Sequence, residues 1–319
     1  MRHDDLPPLV TEQTFGAVIR AFLESGKFRG YSGATRDLWG RELRLAMHPA
    51  TLGAVPRDEI RPALVQGYLD GLSEYPGKQT AAYSAIKQVE KWAVVRDLLP
   101  RPICTGLEIT RPDGGHIPWT EAQVEIAQRH AAPHLARAVT LAANTGQRGS
   151  DLVRMCWTDV EAYGGRDGIN VTQRKTGKQI WVPITEQLAA AMATWPRRPG
   201  PFLVRPDGRP WTRYALTLAW QAERERNSAL RPLGRQAIAG KNTHDDGLVI
   251  HGLRGFACVR LKRANIDVQL IADMVGMSLQ MVAKYCRLSL QKENATAAIE
   301  QLEHHRNARQ NLAGRVGGK

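Results

Sequence analysis

Long apolar runs are missing: nothing in the chain approaches the roughly 18 consecutive apolar residues of a membrane-spanning helix, so no membrane partner is expected. The opening stretch MRHDDLPPLV has no apolar core of the kind a signal peptide carries, and an unexported protein is expected. Cysteine is scarce and scattered. Cys104, Cys156, Cys258 and Cys286 form no C-x-x-C pair, which argues against a disulfide framework or a zinc ribbon and for a reducing cytoplasm. Metal-ligand patterns are also lacking. His130 and His134 are four apart, but Pro133 interrupts them and no Glu accompanies them, while His304-His305 lies in a polar stretch. No G-x-x-x-x-G-K-[ST] occurs, which removes a P-loop. Neither a metal nor any other cofactor is expected.

What is present is basic charge, unevenly spread. The chain of 319 residues, long enough for about two domains, carries 44 Lys+Arg against 31 Asp+Glu. Residues 1–110 hold 14 basic and 13 acidic residues, a net of +1; residues 111–319 hold 30 and 18, a net of +12. Arginine dominates the excess. Its forked guanidinium matches phosphate geometry, so a polyanion is the leading partner.

The periodicity predicts a helical first half. Phe15, Val18, Ile19 and Phe22 form one stripe from Thr14 onward. A second helix from about Thr35 carries Leu38, Leu43 and Leu45, and a third spans about Arg57 to Leu72. A fourth, from about Gln79 to Leu99, places Tyr83, Ile86, Val89 and Trp92 on one stripe. Lys87 and Lys91 share another face, read equally as solvated or as DNA-binding. Four prolines between Pro100 and Pro118, with Gly114-Gly115, mark a linker. Thr120-Glu-Ala-Gln123 then opens a helix with a capping box, and another helix follows from about Pro133 to Asn144. Ile169–Arg174 and Gln179–Ile184 alternate around Lys175-Thr-Gly-Lys178 as a hairpin. Helices are predicted at 185–195, 212–228, 249–264, 267–275, 278–287 and 289–305, with a proline-rich loop over 196–210.

One set of short motifs misleads. Ser84-Ala-Ile-Lys87, Ser150-Asp151 and Lys175-Thr176-Gly177 imitate the boxes of serine β-lactamases. Leu152 stands where that family needs Asn, and the spacing leaves no room for its intervening domain. Another set, spread through the basic region, is coherent. It comprises Thr145-Gly-Gln-Arg148-Gly-Ser-Asp151, the hairpin Lys175-Thr-Gly-Lys178, His251-Gly-Leu-Arg254, and Val275-Gly-Met-Ser278 followed by Tyr285. In these boxes, in this order, the chain resembles the tyrosine recombinases, the phage integrase family, over essentially residues 12–305.

The resemblance implies a fold that is mainly α with a small β-sheet: a helical SAM-like core-binding domain over 12–100, a linker at 101–116, a mixed α/β catalytic domain over 117–305 and a flexible tail at 306–319. It implies that Arg148 and Arg254 clamp the non-bridging oxygens of a scissile phosphate, Lys175 protonates the departing 5′ oxygen, His251 assists proton transfer and Tyr285 attacks phosphorus. Asp151 matches a position that supports the first arginine. The residue types suit the chemistry: guanidinium forks complement an anionic transition state, and a phenol with an ordinary pKa near 10 benefits from nearby cations.

Two positions depart from the pattern. Gly252 follows His251 where the family usually has an acidic residue, and Met277 occupies a position usually held by His or Trp. A thioether donates no hydrogen bond to a phosphate oxygen. The expected function is site-specific recombination of double-stranded DNA through a 3′-phosphotyrosine, by tetramers assembled on a synapse, with accessory DNA-bending proteins as further partners and a nucleoid-associated location. The alternatives are a catalytically weakened DNA-binding regulator of the same fold and a type IB topoisomerase-like enzyme. The resemblance also implies that the segment 289–305, with Leu288, Ala295, Ile299 and Leu302 on one stripe, docks on a neighbouring protomer, packing on its own domain being the alternative.

Overall fold

A computed structural model describes residues 13–110, 116–234 and 247–316, and of residues 288 and 304–316 the backbone alone. Two compact units divide the chain, Met1–Gly114 and Gly115–Lys319.

The described residues of the first unit form α1 (Phe15–Glu24), the short α2 (Gly26–Arg29), α3 (Gly33–Ala46), α4 (Pro62–Asp70) and α5 (Pro76–Val94), with a π-helical turn at Pro49–Gly53 between α3 and α4. Thr14 caps α1 by accepting from the Ala17 N–H at 3.2 Å, and the stripe Phe15, Val18, Ile19 and Phe22 is fully buried. Phe22 meets Phe28 and Trp92 edge to face, an arrangement favoured by ring quadrupoles. Of the three leucines that α3 carries, Leu43 is buried while Leu38 and Leu45 are exposed. The third helix begins at Pro62 rather than near Arg57, because a residue before proline avoids the helical region and Arg61 is extended. The fourth stops at Val94, followed by Asp97 at a positive φ of 53°.

The segment expected to be a linker from residue 101 begins as part of this core. Ile103 and Cys104 are buried, and the carboxylate of Glu90 accepts both of their backbone N–H groups. Leu107 and Ile109 pack against the same cluster.

The second unit contains α6 (Glu121–His130), α7 (Pro133–Thr145), the single turn α8 (Gly149–Leu152), strands β1 (Val160–Tyr163), β2 (Arg166–Thr172) and β3 (Gln179–Pro183), then α9 (Glu186–Ala193), α10 (Arg213–Arg226), α11 (Gly252–Arg263), α12 (Val268–Val275) and α13 (Leu279–Val316). The capping box at Thr120 and Gln123 forms as predicted. The hairpin is the β2–β3 pair, with Ile169 opposite Val182 and Thr172 opposite Gln179. A third strand, β1, pairs antiparallel with β2 and completes a sheet of order β1-β2-β3. Its mostly exposed residues give no alternating signal to read. Helix α7 is buried along most of its length, and the first two turns of α11 are buried throughout.

The two helices predicted at 278–287 and 289–305 are one, α13, which continues through much of the expected flexible tail to Val316. Among its described side chains, Val282, Tyr285, Cys286 and Leu290 are buried, packing with Cys258, Val259, Ile271 and Val275. Arg263 clamps Glu293 bidentately, at 2.6 and 3.1 Å. Residues 291–303 are exposed. Ala295, Ile299 and Leu302 are exposed among the described residues, while the side chain of Leu288 lies outside them. No helix among the described residues is long and apolar enough to cross a membrane.

Candidate active site

Two helix ends create the centre of the site. Helix α7 ends at Gly146 with φ 63° and α12 ends at Gly276 with φ 61°, a left-handed conformation that glycine adopts without a Cβ penalty. Space imposes the same choice: a Cβ at Gly146 would lie 2.8 Å from Val275 Cγ1, and one at Gly276 would overlap the amide of Gln173. Both glycine carbonyls face one side chain. Arg254, in the first turn of α11 and only 2% exposed, donates from Nη1 to the Gly146 carbonyl at 2.6 Å and from Nη2 to the Gly276 carbonyl at 3.2 Å. A guanidinium has five N–H donors, so donors remain for an anion. Burial, and then the neighbouring Arg148, pull its pKa down to about 10, which leaves it charged at neutral pH.

Arg148 follows the Gly146 turn and sits at the N-terminus of α8. Its Nη1 donates to Gln173 Oε1 at 2.9 Å and lies 3.9 Å from Asp151 Oδ2. Asp151 is buried, and its Oδ1 accepts the Arg174 N–H at 2.9 Å, so it braces the hairpin as well as the arginine. Asp151 Oδ2 makes no hydrogen bond among the described residues.

Lys175 is exposed on the turn after β2 and makes no hydrogen bond or ion pair among the described residues. Its competitor Lys178 lies 3.9 Å from the Asp273 carboxylate on α12. The hairpin thus offers one free ammonium and one engaged one.

His251 immediately precedes α11, its ring 4.7 Å from that of His116 and edge-on to it. Burial first, then His116, Arg254, Arg213 and Arg148, lower its pKa to about 4. Gly252 has a steric reason to be small. Any Cβ there would overlap the Ile117 carbonyl and come within 2.8 Å of Trp119 Cδ1.

Tyr285 is 8% exposed, and its hydroxyl makes no hydrogen bond among the described residues. Its ring lies over Gly255, where a Cβ would sit 2.9 Å from Tyr285 Cδ1. Burial raises the phenol pKa, while Arg254 and Arg148 oppose that rise. Met277 packs against the same apolar cluster, filling space where a hydrogen-bond donor was expected.

The second unit therefore brings Arg148, Asp151, His251, Arg254 and Tyr285 into one electrostatic neighbourhood, joined to the lysine hairpin through Gln173. Lys87 and Lys91 belong to the first unit. Lys87 is 3.4 Å from Glu90, while Lys91 is exposed. Three nearby residues escaped sequence reading: Gln173, His116 and Arg213, whose Cγ lies 3.6 Å from where a Cβ of Gly149 would be. For Gln173 a signal existed. It occupies the inward slot after Ile169 and Val171, where a polar residue must find buried partners. Among the described residues, no group of three or more His, Cys, Asp and Glu could hold a metal ion.

Two arginines, a histidine and a buried phenol thus gather on a helical scaffold around a small sheet, the arrangement expected of the tyrosine recombinase class. The sequence profile of the phage integrase family matches residues 121–292, more than half of the chain, and the chain belongs to that family. Structures of lambda integrase are similar: a dimer bound to a COC′ core site has a TM-score of 0.68 at 17% identity, covering 86% of this chain and 95% of that one. A lambda integrase tetramer bound to a Holliday junction also gives 0.68 at 17%, covering 85% and 77%. The Tn1549 transposon integrase with circular intermediate DNA gives 0.64 at 14% identity, covering 86% and 95%. Identities this low establish the likeness of fold. No curated protein sequence matches the chain.

Proposed function

We propose that this phage-integrase family member cleaves and rejoins double-stranded DNA at specific sites, with Tyr285 as the nucleophile. The observation that carries the reading is the convergence of two guanidinium groups, a histidine and a buried tyrosine in one electrostatic neighbourhood, with Arg254 fixed by carbonyls from two helix ends. Arg148 and Arg254 hold the non-bridging oxygens of a phosphodiester, where negative charge grows during attack. The Tyr285 hydroxyl attacks phosphorus, the P–O5′ bond breaks, and a 3′-phosphotyrosine forms. Lys175, the free ammonium of the hairpin, gives its proton to the departing 5′ oxygen. His251, held neutral by burial and neighbouring cations, has a lone pair to receive the phenol proton. Attack by a 5′ hydroxyl on the phosphotyrosine reverses the step and rejoins a strand.

The first unit serves in this reading as a core-binding domain, with Lys91 on its DNA face and Lys87 shared with Glu90. Synapsis requires several copies, and the exposed segment 291–303 of α13 offers a tether between them. The tetramer bound to a Holliday junction in the lambda integrase structure is the assembly this suggests. Work on DNA of this kind belongs at the nucleoid, where accessory DNA-bending proteins are available.

The test is a nicked suicide substrate, from which the cleaved strand cannot be religated. Wild type should accumulate a covalent protein–DNA adduct, whereas Tyr285→Phe should bind DNA and form none. Lys175→Ala should cleave ordinary DNA about 10²–10⁴-fold more slowly. It should recover when sulfur replaces the scissile 5′ oxygen, because a thiolate leaves without needing a proton. An adduct from Tyr285→Phe would place the nucleophile elsewhere, and sulfur rescue of Lys178→Ala alone would move the acid to Lys178.

A further inference from the structure

We propose that Gln173 is a positioning residue that fixes the lysine hairpin and Arg148 in one register, so that proton donor and phosphate clamp address the same phosphodiester. The inference rests on the roles given above to Lys175 and Arg148 and adds the part that connects them. Gln173 is fully buried, and its amide is saturated. Its Oε1 accepts from Arg148 Nη1 at 2.9 Å and from Thr176 Oγ1, one residue past Lys175, at 3.1 Å. Its Nε2 donates to Gln147 Oε1 at 3.0 Å and to the Val275 carbonyl at 3.1 Å. Two acceptor sites and two donors are the full capacity of a carboxamide. The backbone of the same residue closes the turn: Gln173 N–H donates to the Lys178 carbonyl at 2.9 Å, and Gly177 N–H donates to the Gln173 carbonyl at 2.8 Å.

Three loops thus meet at one neutral side chain: the turn after α7, the hairpin, and the end of α12. The close approach to α12 depends on Gly276, where any Cβ would overlap Gln173 Nε2. Asp151 is the acidic support expected from the sequence, yet its Oδ2 is 3.9 Å from Arg148, and its Oδ1 is committed to the Arg174 N–H. The shorter bond to Arg148 comes from the amide. Neutrality has a chemical consequence. A carbonyl oxygen orients a guanidinium without cancelling its charge, which stays available for a phosphate; a carboxylate at the same distance would form an ion pair and spend that charge internally.

The test measures cleavage of ordinary DNA and of DNA with sulfur at the scissile 5′ bridging position. Gln173→Met keeps the length of the side chain but none of its hydrogen bonds. It should bind a half-site within a few-fold of wild type and cleave ordinary DNA about 10²-fold more slowly, the effect of a misplacement near 1 Å. The deficit should shrink about tenfold on the sulfur substrate, because the lysine's part no longer matters while the loosened Arg148 still does. Thr176→Val, an exposed turn substitution that leaves the core intact, cuts the side-chain link from Gln173 to the hairpin, together with a long 3.5 Å bond that Thr176 Oγ1 accepts from the Lys178 N–H. Its smaller loss, several-fold, should vanish on the sulfur substrate. A purely structural role predicts equal deficits on both substrates for both variants, and that result would overturn the proposal. So would cleavage of ordinary DNA by Gln173→Met within threefold of wild type. Should Gln173→Met fail to fold, equal behaviour of Thr176→Val on both substrates overturns the link by itself. Lys175→Ala, run in parallel, separates the two levels: if sulfur restores it, a negative result falls on Gln173 alone; if sulfur does not, the assignment of Lys175 fails first.

Discussion

His251 should remain neutral far below the pH at which a histidine ordinarily charges. Its pKa falls from 6.5 to about 4, with burial the leading cause and His116, Arg254, Arg213 and Arg148 adding to it. At about 1.4 kcal/mol per unit, that fall is worth roughly 3 kcal/mol of preference for the neutral ring. At pH 7 only about one molecule in a thousand would carry the charge. The sign of the linked stability follows. Between pH 6.5 and 4 the unfolded chain binds a proton at this position that the folded chain refuses, so stability is complete above 6.5 and is lost as pH falls toward 4. From pH 7 to pH 5 the loss assignable to this ring is about 2 kcal/mol.

Two assays read it. Proton NMR of the imidazole should show no titration of His251 between pH 8 and 5 in DNA-free protein. Urea unfolding should lose about 2 kcal/mol more between pH 7 and 5 in wild type than in His251→Gln. His116→Ala should move the midpoint upward while leaving most of the shift, because burial is the larger cause. A His251 midpoint at or above 6.5 would refute the reasoning, since the ring would then be partly charged and a poorer acceptor for the phenol proton. A bound phosphate adds an opposite charge next to the same ring, so DNA binding should raise the midpoint.

DNA affinity should fall steeply with salt, with a log–log slope of about −0.9 per phosphate contacted, and Arg213→Ala should reduce the magnitude of that slope by about one; an unchanged slope would remove Arg213 from the DNA surface. Gly252→Glu, which restores the family's usual acidic residue, should destabilise the protein by about 1–3 kcal/mol in urea melts, since the Ile117 carbonyl and Trp119 already fill that space; a variant as stable as wild type would show that the site relaxes. Deleting residues 294–319 should spare half-site binding and lose cooperative binding to a palindromic site in gel-shift titrations. The cut falls after Glu293, because Leu290 is buried and Arg263 holds Glu293. Unchanged cooperativity would separate the segment after Glu293 from assembly.

Legibility of the fold followed how much each element depends on its own sequence. Thr14 and Thr120 announce helix starts because a cap is a local arrangement over three residues. The stripe of α1 was visible because one packed face repeats with the helical period. Strand β1 was not: its four residues, largely exposed, are held by pairing with β2, a contact no local pattern encodes. Within the segment Pro100 to Pro118, where the sequence signals a linker, the described residues 100–110 and 116–118 are irregular, yet irregular backbone can still be core. Glu90, thirteen residues before Ile103, supplies the acceptor that lets part of it be buried. The break expected between the last two helices does not occur, because α13 stops packing without ceasing to be helical. Periodicity records burial, and loss of burial after Leu290 looks like the end of a helix.

The site divides in a similar way. The residues to which a chemical role is proposed, Arg148, Lys175, His251 and Arg254, stand out because their types suit a phosphate and their order matches a family. The groups that aim them do not. Gln173 is neutral, and its importance lies in four partners on three loops brought together only by the fold. Gly252 and Met277 read as departures from a pattern until their surroundings are known; then Gly252 is the residue that fits against Ile117 and Trp119, and Met277 is packing for the cluster that holds Tyr285. In the proposed mechanism, Met277 supplies no hydrogen-bond donor to the phosphate. The donors of Arg254 not committed to Gly146 and Gly276 are the nearest compensation, because both carbonyls fix the guanidinium before any DNA arrives. An anion bound there meets a group already oriented, and little reorganisation accompanies the growth of charge in the transition state.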